Sequence, residues 1–364
     1  MRYAARVLAA PPAAQPCRRA RLLAAALLAV CACQPDAAPP AHSSQDAPLH
    51  PGAATPSSHV AAPAPRPAPA AADDSAAQPA QRAAGDRAPD AGAARASSLD
   101  GRSPVKLAPP PFGQALFRPA PAGSSAAPRL VKIAEQKNKI TDDAAWFTAN
   151  GLSLPTLQVP SAAAGEASGS RPLPSFVPES YRDQPLVKAI DHGDHLALFY
   201  GPSFAAERFV AILDAAHRVV AFFDFESFLM PPEIAPNEAE FVRGHVGWAV
   251  VKDGVLYVSS GHRTYAASSK GKNAYLSAID LASGQLLWQS APLVCNAENF
   301  VLRGDHLLCG YGFTAEPDFL YVLERSTGKV VSKLSLKSGP AFLVEKDGKL
   351  FVRTYDTDYV FEIR

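Results

Sequence analysis

From Pro185 to the C-terminus, short apolar runs alternate with clusters of Gly, Asp and Asn, and no stretch repeats its apolar residues at helical spacing. The pattern predicts short antiparallel strands joined by tight turns. Four copies of one turn stand out: His192-Gly193-Asp194-His195-Leu196, Asp253-Gly254-Val255-Leu256-Tyr257, Arg303-Gly304-Asp305-His306-Leu307 and Asp347-Gly348-Lys349-Leu350-Phe351. Each sets a glycine between two apolar runs, and glycine supplies the positive φ that a tight hairpin demands. The copies lie roughly 60, 50 and 44 residues apart, a spacing in the range of propeller blades.

A second mark follows each turn, an apolar residue and then an acid: Leu213-Asp214, Ile279-Asp280, Leu323-Glu324 and Phe361-Glu362. In the two central copies the acid opens a turn closed by glycine, Asp280 to Gly284 and Glu324 to Gly328. There a carboxylate accepts turn amides while the glycine takes the left-handed conformation. The last copy stops at Arg364 after its third strand. Its outer strand must come from upstream, from Leu130-Val131-Lys132-Ile133 or from the run Leu152 to Val159, because a propeller closes its sheet edges radially.

The copy that runs from Asp253 through Tyr275-Leu276-Ser277-Ala278-Ile279-Asp280-Leu281-Ala282-Ser283-Gly284-Gln285-Leu286-Leu287-Trp288 resembles the repeat of quinoprotein-type β-propellers. The resemblance covers roughly the last 180 residues and implies that Trp288 packs between adjacent blades. Ser332 and Phe222 stand at the places corresponding to Trp288, and Arg218 stands where the turn glycine of the first copy belongs. The expected fold is all-β: a small β-propeller of four or five blades of antiparallel strands, preceded by a signal peptide and a disordered Ala/Pro-rich stalk. That family holds quinone-dependent dehydrogenases and also cofactor-free scaffold lipoproteins, so the motif implies architecture and not chemistry.

Composition separates the upstream chain from the repeats. Roughly half of the 35 prolines of the 364-residue chain fall between Gln34 and Pro128, among Ala, Ser and Gly. Such a segment buries too little apolar area to offset a backbone ordering cost of about 1–2 kcal/mol per residue. At its start, Arg18, Arg19 and Arg21 precede the apolar run Leu22 to Val30, the layout of a secretory signal and too short to span a bilayer. Val30-Cys31-Ala32-Cys33 resembles the lipobox of bacterial lipoproteins, which implies cleavage after Ala32 and a lipid on Cys33. Residues 1–32 are thus assigned to the signal peptide, 33–128 to the linker and 129–364 to the propeller, with clear repeats over 186–364.

Cysteine count and charge narrow the chemistry. Processing at Cys33 leaves Cys295 and Cys309 in the folded part, as a possible disulfide or as two buried thiols. A formal net charge of +1 with no basic stripe argues against a nucleic-acid partner. His192 and His195 flank a hairpin glycine but show no third ligand, so no metal is expected. The longest loops run from Phe225 to Arg243 and from Ser259 to Asn273; in the second, His262, Arg263 and Tyr265 form a possible ligand loop, with Arg263 and Tyr265 set to grip an anionic or planar group. In the first, Phe228 and Leu229 are expected to pack back on the propeller.

No catalytic residue and no cofactor is assigned. The expectation is a non-catalytic, lipid-anchored module that binds a protein or ligand at the bacterial cell envelope. It sits on the outer membrane, facing the periplasm or the cell surface, with an envelope protein or cell-wall component as partner. The alternative is a propeller-based enzyme, a quinone-dependent oxidoreductase or a hydrolase.

Overall fold

The structure, a computed structural model, describes Leu99 and residues 101–364 other than 114, 118, 120, 122, 124, 140–141, 165–168, 170, 230–233 and 235–241. The signal peptide, Cys33 and the linker up to residue 98 lie outside the described residues. Upstream of the repeats the elements are β1 (Val105–Lys106), β2 (Leu116–Phe117), β3 (Leu130–Lys137), α1 (Asp143–Ala149), β4 (Leu157–Gln158), β5 (Arg171–Pro172) and β6 (Ser180–Tyr181).

The repeats then give four sheets. The first blade comprises β7 (Gln184–Asp191), β8 (His195–Tyr200), β9 (Phe209–Asp214) and β10 (Val219–Asp224), followed by the short α2 (Glu226–Leu229). The second comprises β11 (Gly244–Lys252), β12 (Val255–His262), β13 (Tyr275–Asp280) and β14 (Leu286–Gln289). The third is built from β15 (Val301–Arg303), β16 (His306–Phe313), β17 (Glu316–Glu324) and β18 (Val330–Ser335). The fourth holds β19 (Pro340–Lys346), β20 (Lys349–Thr354) and β21 (Thr357–Ile363).

Upstream β3 completes the fourth blade by pairing antiparallel with β21 from Leu130↔Ile363 to Lys137↔Thr357. Of the two candidate runs, the one beginning at Leu130 supplies the closing strand. The four repeat glycines connect first to second strand in every blade, at φ of +89° (Gly193), +73° (Gly254), +55° (Gly304) and +72° (Gly348). A side chain with a β-carbon rarely adopts that conformation, which is why glycine recurs there.

Neighbouring blades are tied by specific contacts. Phe223 of the first packs on the turn glycine Gly284 of the second, and His192 Nε2 lies 3.0 Å from the Ala249 carbonyl. Trp288 of the second blade is fully buried against the third. Asn299 joins the third to the fourth by donating to the Leu343 carbonyl (2.6 Å) and accepting from the Leu343 amide (3.0 Å). The ring closes through the segment that follows β3. On α1, Trp146 and Phe147 pack with Phe342 and Val344 of the fourth blade. Further along, the Pro155 carbonyl accepts from the Asp191 amide at 2.7 Å and Thr156 bridges Ile190 of the first blade. The described residues form a four-bladed β-propeller.

Four details correct the sequence reading. The described residues of 101–128, a stretch assigned to the linker by composition, run against the blades: β1 adds to β10, β2 adds to β14, and Gly123 donates to Asp305 of the third blade. A window rich in Pro and Ala hides the few residues, Leu99 and Leu107 among them, that are buried. The residue that meets the next blade's turn glycine is Phe223 and not Phe222: the outer strands of the first three blades carry the same bulge, but the shorter turn of the first copy puts Ala221 opposite Ile212 where Trp288 stands opposite Ala278, so Phe223 shares that face and Phe222 lies on the opposite one with Tyr181. The first copy's outer turn is one residue shorter than expected, so the left-handed position falls on His217 (φ +60°), while Arg218 turns back to pair with Asp214. Finally, a helix forms at α1 within a domain expected to be all-β; Asp142 caps it by accepting from the Ala144 and Ala145 amides.

Candidate functional site

The first two strands of the second blade, the first strand of the fourth and the segment that leads into the third line a cavity of about 790 Å3. A smaller cavity of about 390 Å3 adjoins it toward the first blade and shares Arg263, Glu298 and Ala341 with it. The larger one reaches the face of the propeller that carries the connections between second and third strands, since Arg263, Phe313, Thr314, Tyr355 and Asp356 all line it.

That face carries one aromatic side chain from each blade at the same place in the repeat. Phe204 lies between β8 and β9, Tyr265 between β12 and β13, Phe313 at the end of β16 and Tyr355 between β20 and β21. Phe204 is 38%, Tyr265 43% and Tyr355 87% exposed; among the described residues, no other aromatic ring stands among the exposed large apolar side chains. Tyr265 and Phe313 meet edge-on with ring centroids 4.7 Å apart. Exposed rings clustered on one face are the kind of surface that partners cover.

Beneath the rings lies a network of charges. The Glu207 carboxylate, with no exposed surface, accepts from Lys188 Nζ at 3.0 Å and faces His245 Nδ1 at 3.1 Å, and Lys188 also donates to the Gly247 carbonyl at 2.7 Å. Burial disfavours the carboxylate, yet Lys188 and then His245 outweigh it and hold Glu207 below the usual range. Arg263 makes a two-pronged pair with Glu298 at 2.8 and 2.9 Å and stacks on Phe204 at 5.0 Å. Here too burial opposes the charges, and Arg263 keeps the Glu298 carboxyl below its ordinary value. The network joins three blades, so it fixes the cavity wall as well as charging it.

The three ligand-loop residues therefore have different fates. Tyr265 stands exposed on the working face. Arg263 lines the cavity, but its guanidinium is committed to Glu298, so it offers no free fork for an anion. His262 is buried: Nε2 lies 2.7 Å from Ser269 Oγ, Nδ1 2.7 Å from Thr264 Oγ1, and its amide donates to Asn273 Oδ1 at 2.7 Å. Burial, followed by the charge of His245, pushes its pKa down to about 4, so the ring is neutral at pH 7.

Both cysteines are buried free thiols, and no bond joins them in this structure. Cys309 Sγ donates to the Val294 carbonyl at 3.3 Å, while Cys295 lines the cavity floor. Burial, and then the neighbouring Cys295 sulfur, push the Cys309 thiol up, away from the reactive thiolate.

Phe204, Glu207, His245, Glu298 and Asp318 all escaped the sequence reading. Phe204 and Tyr355 were findable from the second-to-third connections of the repeat; the charge network was not, because Lys188, Glu207 and His245 belong to no motif. His245, oriented by a buried carboxylate, has the geometry of a positioned base. No hydrogen bond joins it to the nearby Ser259 or Ser260 among the described residues.

No family model matches the chain, and no curated protein matches it. Some solved structures resemble it at a distance. A computationally designed protein, Ika8, is 12% identical over 48% of this chain with a TM-score of 0.30, and this chain spans 45% of that protein's length. BamB from Moraxella catarrhalis is 10% identical over 64% of this chain and 100% of its own, with a TM-score of 0.26. Sqt1 from Saccharomyces cerevisiae is 13% identical over 44% of this chain and 39% of its own, with a TM-score of 0.28. None of these likenesses bears on a ligand or a partner.

Proposed function

We propose that the chain is an exported lipoprotein, anchored through Cys33 to the outer membrane, whose propeller binds an envelope protein or cell-wall component and performs no reaction. The observation that carries this reading is that every blade sets an aromatic side chain on the face where the large cavity opens, two of them, Phe313 and Tyr355, lining that cavity. The repeat around Trp288, with its resemblance to quinoprotein-type propellers, supports the same family of scaffolds. The lipobox-like Val30-Cys31-Ala32-Cys33 supports the anchor.

Two experiments test it. Cys33→Ala should release the protein from the membrane fraction; unchanged membrane association removes the anchor. The immobilised protein should capture a partner from envelope extract, and Tyr265→Ser with Tyr355→Ser should abolish that capture while leaving the melting temperature unchanged. Full capture by the double variant removes this face from the binding role.

A hydrolase is the second reading, and the Glu207–His245 pair is the observation that favours it. Wild-type turnover of an activated ester that disappears in His245→Ala, with partner capture retained, would select it over the binding module.

A further inference from the structure

On the face where the aromatic side chains gather, two cavities adjoin and both are lined by rings. Phe204 lines the smaller one, and Phe313 and Tyr355 line the larger. Each ring sits on a tied segment. The Phe204 amide donates to the Ala163 carbonyl at 3.0 Å, and the Arg263 guanidinium lies over its ring at 5.0 Å. Phe313 meets Tyr265 edge-on, and the Tyr355 amide donates to the Gly339 carbonyl at 3.0 Å. Platforms held in place before binding lose little freedom when a ligand covers them.

The larger cavity also offers hydrogen-bonding groups that the fold leaves open. His245 lines it with 12% of its side chain exposed. Its Nδ1 faces the Glu207 carboxylate at 3.1 Å, and an ionised carboxylate can only accept, so the proton of the neutral ring sits on Nδ1 and Nε2 is left as an acceptor. Among the described residues Nε2 makes no hydrogen bond, and it is not enclosed by them. The Ser260 hydroxyl of the same cavity wall is likewise open and unengaged, and it can donate as well as accept.

These groups ask for different parts of one ligand. A ring face takes a flat apolar partner, and an imidazole lone pair takes a hydroxyl or N–H donor. A series of rings, one from each blade, suits a ligand that repeats. A pyranose has a flat C–H face and a rim of hydroxyls, and a chain of pyranoses repeats both along its length. We propose that the two adjoining cavities bind a stretch of neutral glycan chain, its sugar faces resting on Phe204, Phe313 and Tyr355 and its hydroxyls bonded to His245 Nε2 and Ser260. The proposal rests on the reading of this face as the binding face and gives the cell-wall component its chemistry. The chain has two sources, a wall glycan strand or a free glucan.

The test is calorimetric titration of the full chain with tetra-N-acetylchitotetraose, which carries the linkage and acetamido groups of a wall strand, and separately with maltotetraose. A blocked alanine tripeptide is the peptide control. Saturable binding of at least one saccharide is expected, weakened about threefold or more in Tyr355→Leu and in Ser260→Ala, and kept in Tyr355→Phe, which retains the ring. Because Tyr355 is exposed, its variants keep the test valid even if Ser260→Ala misfolds. Tighter binding of the chitotetraose identifies a wall strand, and tighter binding of maltotetraose a free glucan. The proposal is overturned if neither saccharide binds at up to about 10 mM, if the tripeptide binds equally well, or if Tyr355→Leu and Ser260→Ala both bind like the wild type. Absence of saccharide binding together with intact capture of an envelope protein overturns this inference alone; absence of both overturns the binding-module reading as well.

Discussion

The indole of Trp288 lies against the backbone of Gly328, close enough that a β-carbon on that glycine would fall 2.3 Å from the ring, and Nε1 donates to the Arg325 carbonyl at 2.9 Å. The outer strand of one blade is thereby locked onto the outer turn of the next. Trp288→Ala should cost about 3–5 kcal/mol, the range for deleting a buried large aromatic side chain. Gly328→Ala, at φ +70°, should cost at least about 1–2 kcal/mol from backbone strain alone, with the clash added. Urea denaturation measures both, and a neutral Gly328→Ala would show that the blades are not in this contact.

Closure by β3 gives a second expectation. Successive amides of an edge strand point alternately at its neighbour and at solvent, so Ala134→Pro with Glu135→Pro must remove a ladder bond to β21. The double variant should lose at least about 1 kcal/mol, or about 2–4 °C in melting temperature for a domain of this size. An unchanged melting curve would mean that the fourth blade stands without its upstream strand.

The parts of this architecture that were legible in the sequence are those in which backbone geometry restricts residue choice. Gly193, Gly254, Gly304 and Gly348 recur because a positive φ is needed at each hairpin. The truncated last copy announced a missing strand because an open sheet edge is unfavourable. Register was harder: the outer turn of the first copy is one residue shorter than the motif implies, and that offset exchanged the roles of Phe222 and Phe223. The edge strands β1 and β2 were hidden because two residues in a proline-rich window carry no period. The site was mostly illegible for a different reason. Lys188, Glu207 and His245 are 19 and 38 residues apart and come together only in the fold.

The buried Glu207 depends on Lys188. Lys188→Met should cost about 3–5 kcal/mol, because it leaves a carboxylate enclosed with its cation removed. Adding Glu207→Gln should recover part of that loss, a coupling visible in a double-mutant cycle. Since the Glu207 carboxyl is held below its usual range, its stabilising share is present above that range and is lost as pH falls through the folded value. A Lys188→Met cost below about 1 kcal/mol would place the pair in solvent-like surroundings.

His262 predicts the shape of the acid limb. Its ring stays neutral in the fold down to about pH 4, while the unfolded chain takes up a proton near 6.5. Its contribution is therefore complete above pH 6.5 and is lost progressively as pH falls toward 4. His192 and His306, both lowered first by burial, add to the same limb. His262→Gln should flatten part of the stability loss between pH 6.5 and 4, measured by urea midpoints at each pH. An identical slope in the variant would mean that the ring is protonated or exposed in the folded protein.

The central claim is that partners meet this propeller on the face formed by its second-to-third connections. Site-specific photocrosslinking in intact cells tests it most directly, with a benzophenone side chain placed at Tyr355, at Tyr265 and, as a control, at the exposed Val330 on the outer strand of the third blade. The account predicts a crosslinked species from positions 355 and 265 and none from 330. Crosslinks from 330 alone, with 355 and 265 silent, would contradict it.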